Sequence, residues 1–164
     1  MSDVHGFDDL YRASRRRLLG YVYVLTGDLA EAQDVVQEAF IRAWLRWSTV
    51  GRYPDPESWV RVVAARLAVS RWRGRRSRAR AHVRHGPDRP VDGPGPETLA
   101  LVAALRTLPP AQRTALALHY VYGYSVADIA RETGAPAGTV KARLHRGRAA
   151  LAPLLSDKKD SRHA

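Results

Sequence analysis

The sequence contains no cysteine, and this absence removes several kinds of site. Without thiols the chain forms no disulfide and offers no cysteine ligands to a structural zinc ion or an iron–sulfur cluster. A hydrophobic core must therefore hold the chain together. Hydrophobic residues make up 45% of its 164 positions, which is enough for one medium-sized domain or two small ones.

Long apolar segments are missing as well. No stretch approaches the roughly 20 apolar residues that span a bilayer. The polar segment 1–20 lacks the apolar centre of a secretory signal peptide. We therefore expect a soluble protein that stays in the cytoplasm and has no membrane partner.

Lysine is scarce, with three residues against 24 arginines, and acidic residues do not offset the positive charge. The formal net charge is +11. A bias towards arginine codons in a GC-rich genome explains the choice of arginine over lysine, but it does not explain the net charge. So basic a chain is typical of proteins whose partner is a polyanion, most often nucleic acid.

Glycine and proline are concentrated in residues 81–96, where seven of them occur. This composition excludes a helix interior and predicts a flexible linker. On both sides of it apolar residues recur at helical spacing, and no alternating strand pattern is present. We predict an all-α fold with two small helical domains, 1–80 and 97–155, on either side of the linker, and a disordered tail, 156–164.

Three helices are predicted in the first domain. The first ends at Gly27, because glycine suits a left-handed helix end, and Asp28 can cap the second helix. The second ends near Trp44. After two prolines a third helix is expected from about Glu57 to Arg73.

The segment from Ser125 onwards has the pattern of a helix-turn-helix. Ser125, followed three residues later by Asp128, predicts a capped helix start, and Gly134 predicts a sharp turn. A second helix, from about Gly138 to Arg148, is then predicted to cross the first, with its apolar residues at helical spacing facing inward: Val140, Leu144 and Leu151. Such a helix can lie in a DNA major groove. A basic helical hairpin that binds no DNA is the alternative interpretation.

Two segments carry a family resemblance: DVVQEAFIRAW (34–44) and LPPAQRTALALHYVYGYSVADIARETGAPAGTVKARLHRGRAAL. With the arginine-rich helix and the linker between them, they resemble the extracytoplasmic-function (ECF) group of bacterial RNA polymerase sigma factors over about residues 5–155. The resemblance implies that sigma domain two (1–80) binds core polymerase and recognises and melts the minus-ten promoter element. Sigma domain four (97–155) would read the minus-thirty-five element. It implies no enzymatic activity, cofactor or small-molecule substrate.

The second predicted helix carries a mixed acidic and apolar stripe beside its core-facing stripe. Such a stripe suits a partner helix. The resemblance identifies this partner as the coiled-coil clamp of the polymerase beta-prime subunit, with the beta subunit as a further contact. The alternative is that its apolar members complete the domain core. The candidate polymerase-binding residues are Asp34, Gln37, Glu38, Ile41 and Leu45.

Promoter DNA, both double-stranded and melted, is the other expected partner. Tryptophan rings stack on unpaired bases, arginines hold phosphates, and cations on a recognition helix bind guanine edges. Backbone amides at the start of that helix suit a phosphate. The candidates in domain two are Trp59, Arg66, Arg71, Arg73, Arg75 and Arg76. Those in domain four are Arg113, Gly138, Thr139, Lys141, Ala142, Arg143, His145 and Arg146. For Arg113 a solvated side chain is the alternative.

Two positions depart from the family pattern. Arg66 and Ser70 stand where many relatives have asparagine and aspartate. Arg66 does not offer the neutral amide contacts of asparagine beside a flipped promoter base, so the minus-ten sequence preference stays open.

Two other classes of function compete with this interpretation. A regulator that binds DNA without polymerase explains the helix-turn-helix but not the segment 34–44. An enzyme is disfavoured, because no phosphate-binding loop, nucleophile elbow or catalytic triad pattern occurs. His82 and His85 lie in the linker without a third ligand at a suitable spacing, so no metal site is predicted. An anti-sigma factor is a further partner that such factors often have, and the sequence does not identify one.

Overall fold

The computed structural model describes the backbone of residues 4–78 and 94–160, and every regular element in these ranges is an α-helix. The prediction of an all-α fold is confirmed. Most of the predicted linker, including His82 and His85, and the last four residues lie outside the described residues. The helices are α1 Val4–Thr26, α2 Leu29–Leu45, α3 Trp47–Val50, α4 Pro56–Arg78, α5 Pro96–Arg106, α6 Pro110–Tyr122, α7 Val126–Thr133 and α8 Ala137–Asp160.

The junction between α1 and α2 follows the local chemistry of the chain. Gly27, directly after α1, has a φ of +71°, which is costly for a residue with a Cβ. The carboxylate of Asp28 accepts a hydrogen bond from the backbone amide of Glu31 at 3.0 Å and caps α2. Both predictions for this junction are confirmed.

Two helices are longer than predicted. The third predicted helix, now α4, continues through Gly74 to Arg78 instead of ending near Arg73. A glycine inside a helix costs only about 1 kcal/mol relative to alanine. The neighbouring arginines have a high helix propensity, so the helix continues through this position. The last helix, α8, continues to Asp160, so the prediction of a disordered tail from Ser156 is wrong as far as that residue. Polarity alone does not end a helix that is already formed.

The N-terminal half, α1 to α4, is built on mutual packing of α1, α2 and α4. Its core contains Val22 from α1, Val35 and Ala39 from α2, and Val60 and Ala64 from α4, all buried. Burial of these apolar faces is the main stabilising contribution. The short helix α3 places Trp47 edge-on to Phe7, with ring centroids 5.4 Å apart.

The C-terminal half, α5 to α8, packs around Leu118, Ile129 and Val140. Helix α8 crosses α6 at Gly147, where a Cβ would lie 2.7 Å from Cδ1 of Leu116. Only glycine allows the two helices to approach so closely.

The two halves are in contact. Helix α1 lies against α5 and α6, and buried residues of both halves form one continuous hydrophobic cluster. The sequence leaves the relative placement of the halves undetermined; in the structure they are closed on each other.

Candidate nucleic-acid and partner-binding surfaces

The helix-turn-helix begins with a reciprocal cap at α7. The backbone amide of Asp128 donates to the Ser125 hydroxyl at 3.1 Å, and the Ser125 amide donates to the Asp128 carboxylate at 3.0 Å. These hydrogen bonds from Ser125, with the nearby Arg131, hold the pKa of Asp128 below its ordinary value. Gly134 then turns the chain with a φ of +68°. The predicted cap and turn are both confirmed.

Helix α8 is anchored by one face and leaves the other open. Val140, Leu144 and Leu151 are buried, as their spacing predicts. The opposite faces carry most of the candidate DNA-binding residues of this half. Gly138, Thr139, Lys141, His145 and Arg146 are exposed, and Ala142 and Arg143 are half-buried. The fold therefore brings the candidates on this helix together on one accessible, basic surface.

An exposed pair extends this surface and is absent from the sequence prediction. Arg148 donates from Nε to the hydroxyl of Tyr120 at 2.8 Å, and its guanidinium lies 5.6 Å from the ring centroid. The signal was present in the sequence as a basic residue on the outer face of α8. Its aromatic partner, Tyr120, lies on α6, so the spacing of residues along α8 does not reveal the pair.

Arg113 is placed differently from the prediction. It is 2% exposed, and its guanidinium donates to the carbonyl oxygens of Leu25, in the other half, and of Leu108. Burial lowers the pKa of Arg113. The expectation of a phosphate-facing or solvated Arg113 is wrong for this closed arrangement, because α1 covers the start of α6.

Helix α4 presents a surface of mixed character. Trp59 is half-buried, whereas Arg66 and Arg73 are exposed. Trp59 and Arg66 line an open cleft of about 480 Å³ together with Tyr53 and Asp55 from the loop before α4. Arg75 and Arg76 lie on the same helix, in its last turns.

Arg71 links the two predicted binding surfaces. Its guanidinium donates to Glu38 of α2 at 2.8 Å, and Arg42 donates to the other carboxylate oxygen at 2.6 Å. Although burial opposes it, these hydrogen bonds hold the pKa of Glu38 below its ordinary value. Two candidates assigned to different partners, Arg71 to DNA and Glu38 to polymerase, are thus an ion pair in this structure.

The rest of the stripe on α2 faces outwards. Asp34 and Gln37 are exposed, and the side chains of Ile41 and Leu45 are 51% and 77% exposed. Such exposure excludes the alternative in which Ile41 and Leu45 complete the core. Two neighbouring apolar side chains left in water at one end of a helix indicate a partner surface.

A groove of about 540 Å³ runs between α1 and α2 beside this stripe. Its apolar lining includes Phe7 and Tyr11 from α1 and Phe40 and Trp44 from α2. The sequence prediction missed it. The available signal was the four-residue spacing of aromatics in both helices, which places each pair on one helix face.

No group of three or more potential metal ligands comes together in residues 4–78 and 94–160. Over the same described residues, no helix is both long and apolar enough to cross a membrane.

Two family models match the chain, each on one half of the fold. The model described as Sigma-70 region 2 matches residues 10–78, and the one described as Sigma-70, region 4 matches residues 98–151. The first covers α4 and nearly all of α1 to α3. The second contains the whole helix-turn-helix.

Curated relatives match over most of the chain. The ECF RNA polymerase sigma factor SigM of Mycobacterium tuberculosis is 34% identical over 163 residues, covering 93% of this chain and 79% of the relative. SigL of the same species is 33% identical, covering 83% of this chain and 81% of the relative. SigE of Mycolicibacterium smegmatis is 33% identical over 92% of this chain, which spans 62% of that relative.

A solved structure shares the arrangement of helices. The sigma factor RpoE of Bartonella quintana, in complex with the anti-sigma factor NepR, superposes with a TM-score of 0.76 at 23% identity, covering 93% of this chain and 98% of that one. That likeness concerns the fold. The two matched regions and the curated relatives show the family: the chain belongs to the ECF group of RNA polymerase sigma factors, which carry out promoter-specific transcription initiation with RNA polymerase.

Proposed function

We propose that the exposed stripe on α2 binds the beta-prime clamp of core polymerase and that α8 reads the minus-thirty-five element. The observation that carries the proposal is the exposure of Ile41 and Leu45 in a chain that also presents a basic helix-turn-helix. An apolar stripe of this kind indicates a protein partner in addition to DNA. It gives polymerase a docking site outside the DNA-binding surface.

Helix α4 and the loop before it bind the minus-ten region in this proposal. Trp59 and Arg66 at their cleft supply a ring for stacking and a cation for the backbone of a melted strand. Arg66 also brings a permanent charge to this cleft, so contacts at this position favour phosphate or guanine over a neutral amide pattern.

The chemistry of RNA synthesis belongs to polymerase in this account, and the chain contributes binding and positioning in the cytoplasm. The similar RpoE is bound by an anti-sigma factor. We extend the proposal to an inhibitory partner of that class for this chain. Its docking on the α2 stripe would compete with core polymerase, and competition for core binding is its test.

Two substitutions test the two proposed binding surfaces independently. Arg146→Ala removes an exposed cation from α8 and is expected to weaken promoter binding while sparing core polymerase binding. Ile41→Ala removes an exposed apolar contact from α2 and is expected to weaken core binding by about tenfold, as for a moderate interface contact. Both side chains are accessible, so neither change should alter the fold.

Fluorescence anisotropy with core polymerase alone, and with polymerase plus promoter DNA, measures the two steps separately. Val4→Ala is the matched control for Ile41→Ala, because it shortens another exposed β-branched residue on a different helix. The charge reversal Glu38→Arg is less informative, since it would place three cations together with Arg42 and Arg71. Equal impairment of one step by both substitutions would refute the two-surface proposal.

A further inference from the structure

The basic face of α8 extends beyond the candidate DNA-reading residues. Lys141, His145 and Arg148 follow one another at steps of four and three residues, so they share one face of the helix, and all three are exposed. Ala137 begins α8, and Arg148 lies about 16 Å further along the helix axis at about 1.5 Å per residue. The row of basic residues therefore reaches well past the first turns of the helix.

Arg148 is held by a tyrosine from another helix. Its Nε donates a hydrogen bond to the hydroxyl of Tyr120, on α6, at 2.8 Å, and its guanidinium lies 5.6 Å from the centroid of that ring. This hydrogen bond uses Nε, so the N–H groups on the terminal nitrogens are left for another acceptor. Within residues 4–78 and 94–160, no carboxylate forms an ion pair with Arg148. The cation therefore has room for an anionic partner from outside the chain.

Tyr120 is held in place by its neighbours although its side chain stands in water. It is 65% exposed, so burial does not fix the ring. The ring of His119 packs edge-on against it, with centroids 4.9 Å apart. Nδ1 of His119 donates to the carbonyl oxygen of Tyr124 at 2.8 Å, since a carbonyl only accepts, and this hydrogen bond orients the imidazole. The tyrosine hydroxyl is thus presented to Arg148 from a supported ring.

Together the two side chains offer two kinds of donor to one anion. The Tyr120 hydroxyl accepts from Nε of Arg148 and keeps its own proton as a donor. A guanidinium binds phosphate oxygens through charge-assisted hydrogen bonds. Arginine and tyrosine are both among the side chains that contact DNA phosphates. Because the pair continues a basic row on the helix-turn-helix, its chemistry suits a phosphate of bound DNA.

The position of Arg148 along α8 favours the DNA backbone over the bases. A recognition helix presents its N-terminal residues to base edges, and the major groove is about 8.5 Å deep. At about 16 Å from the start of the helix, Arg148 lies outside the groove when the first turn reaches the bases. The group that it meets there is the phosphate strand at the border of the groove.

We propose that Tyr120 and Arg148 form a phosphate-binding pair that holds the DNA backbone beside the helix-turn-helix, with Tyr120 as the residue that orients the guanidinium. The inference rests on the proposed reading of DNA by α8. It adds a contact that fixes the register of the helix on the duplex without reading sequence. Orientation matters because a free arginine loses side-chain entropy when it binds, and the Tyr120 hydroxyl reduces that loss before DNA arrives.

Arg148→Ala tests the phosphate contact. Holoenzyme is assembled from the full-length chain and core polymerase, and anisotropy follows its binding to a labelled duplex taken from upstream of a start site that depends on the chain. We expect about tenfold weaker binding, as for one charged hydrogen-bonding contact. The slope of log affinity against log salt should also fall by about one. Arg12→Ala removes the same charge from an exposed site on α1 and is expected to change neither quantity.

Tyr120→Phe tests the orienting role, because it keeps the ring and removes the hydroxyl. We expect about threefold weaker binding in the unsubstituted chain, and a smaller effect when Arg148 is already alanine. Arg148→Lys keeps the charge but lacks Nε, so it should retain the salt slope and lose the dependence on Tyr120. Effects of Tyr120→Phe and Arg148→Ala that simply multiply would refute the orienting role.

Neutral linkages in the DNA locate the contact. Methylphosphonates, which lack the charge of a phosphate, are placed singly along both strands of the duplex. We expect a position at which this replacement weakens binding of the unsubstituted chain but has no effect on the Arg148→Ala chain. If every position affects the two chains equally, the phosphate-binding pair is refuted.

Circular dichroism verifies that each variant retains its helices. An unchanged salt slope in folded Arg148→Ala refutes the pair, both on this duplex and on one of scrambled sequence. A loss of affinity that changes with the base sequence also refutes it, because it would assign Arg148 to base edges. If the holoenzyme binds both duplexes equally but the slope falls in Arg148→Ala, the pair is supported while the proposed reading function of α8 is refuted.

Discussion

Gly147 shows how the absence of a side chain at one position determines the placement of α8. Helix α8 crosses α6 at this residue, and the space for a Cβ is occupied by the side chain of Leu116. Interiors packed at this density do not absorb an extra methyl group without displacement. The position of the basic surface therefore depends on a residue that makes no contact with DNA in the proposed function.

Gly147→Ala is expected to destabilise the protein by about 1–3 kcal/mol, because the new methyl group overpacks the crossing of α6 and α8. Urea unfolding followed by circular dichroism measures the change. Gly20→Ala is the matched control: Gly20 lies in the interior of α1 with nothing within 4 Å of its Cβ position. There the better helix propensity of alanine should stabilise by about 0.5–1 kcal/mol. Changes of the same sign at both glycines would contradict the packing argument.

At the scale of one element, helix α7 is stabilised by both local and long-range interactions. With eight residues it is too short to form alone in water. Its first turn is held by the Ser125–Asp128 cap, and its apolar face is held by Ile129, which is fully buried. The first contribution comes from local chemistry and the second from packing against α8.

The lowered pKa of Asp128 gives the cap a defined pH dependence. A carboxylate whose folded-state pKa is depressed stabilises the fold fully above its unfolded-state pKa, and this contribution is lost as the pH falls through the folded-state value. Asp128→Ala is therefore expected to be less stable than the unsubstituted chain at pH 7, and this difference should narrow under acidic conditions. Urea midpoints over this range provide the measurement, with Asp9→Ala, an exposed site on α1, as control. A pH-independent difference would contradict the role of the charged form.

Features specified by adjacent residues could be predicted from the sequence. The turn at Gly27, the cap at Ser125 and the buried face of α8 at Val140 depend on chemistry within a few positions, and all three predictions are confirmed. The continuation of α4 through Gly74 was missed, because a glycine weakens a helix without requiring its end.

Contacts between distant residues were beyond sequence reasoning. Arg61 and Glu132 are 71 positions apart, and Arg113 and Leu25 are 88 apart. No spacing rule relates such pairs, since the intervening chain permits many placements of the halves. The candidate residues on α8 were identified because they share one helix face. The burial of Arg113 depends on α1, which the pattern around α6 does not reveal.

At the scale of the whole molecule, contacts between distant residues join the two halves, and the proposed binding surfaces lie outside these contacts. The exposed stripe on α2, the cleft before α4 and the basic face of α8 are all accessible while the halves are closed. The closed state therefore leaves these three surfaces accessible, although it buries Arg113. In this arrangement the contacts of Arg61 with Glu132 and of Arg113 with Leu25 fix how far apart the surfaces lie.

Transcription from genomic DNA by core polymerase tests the central claim most directly. Fragmented DNA from the same bacterium is transcribed by its core RNA polymerase with and without the chain, and the 5′ ends of the RNA are sequenced. The account predicts new start sites that depend on the chain and share two sequence elements upstream, near minus ten and minus thirty-five. The same set of 5′ ends with and without the chain would contradict it.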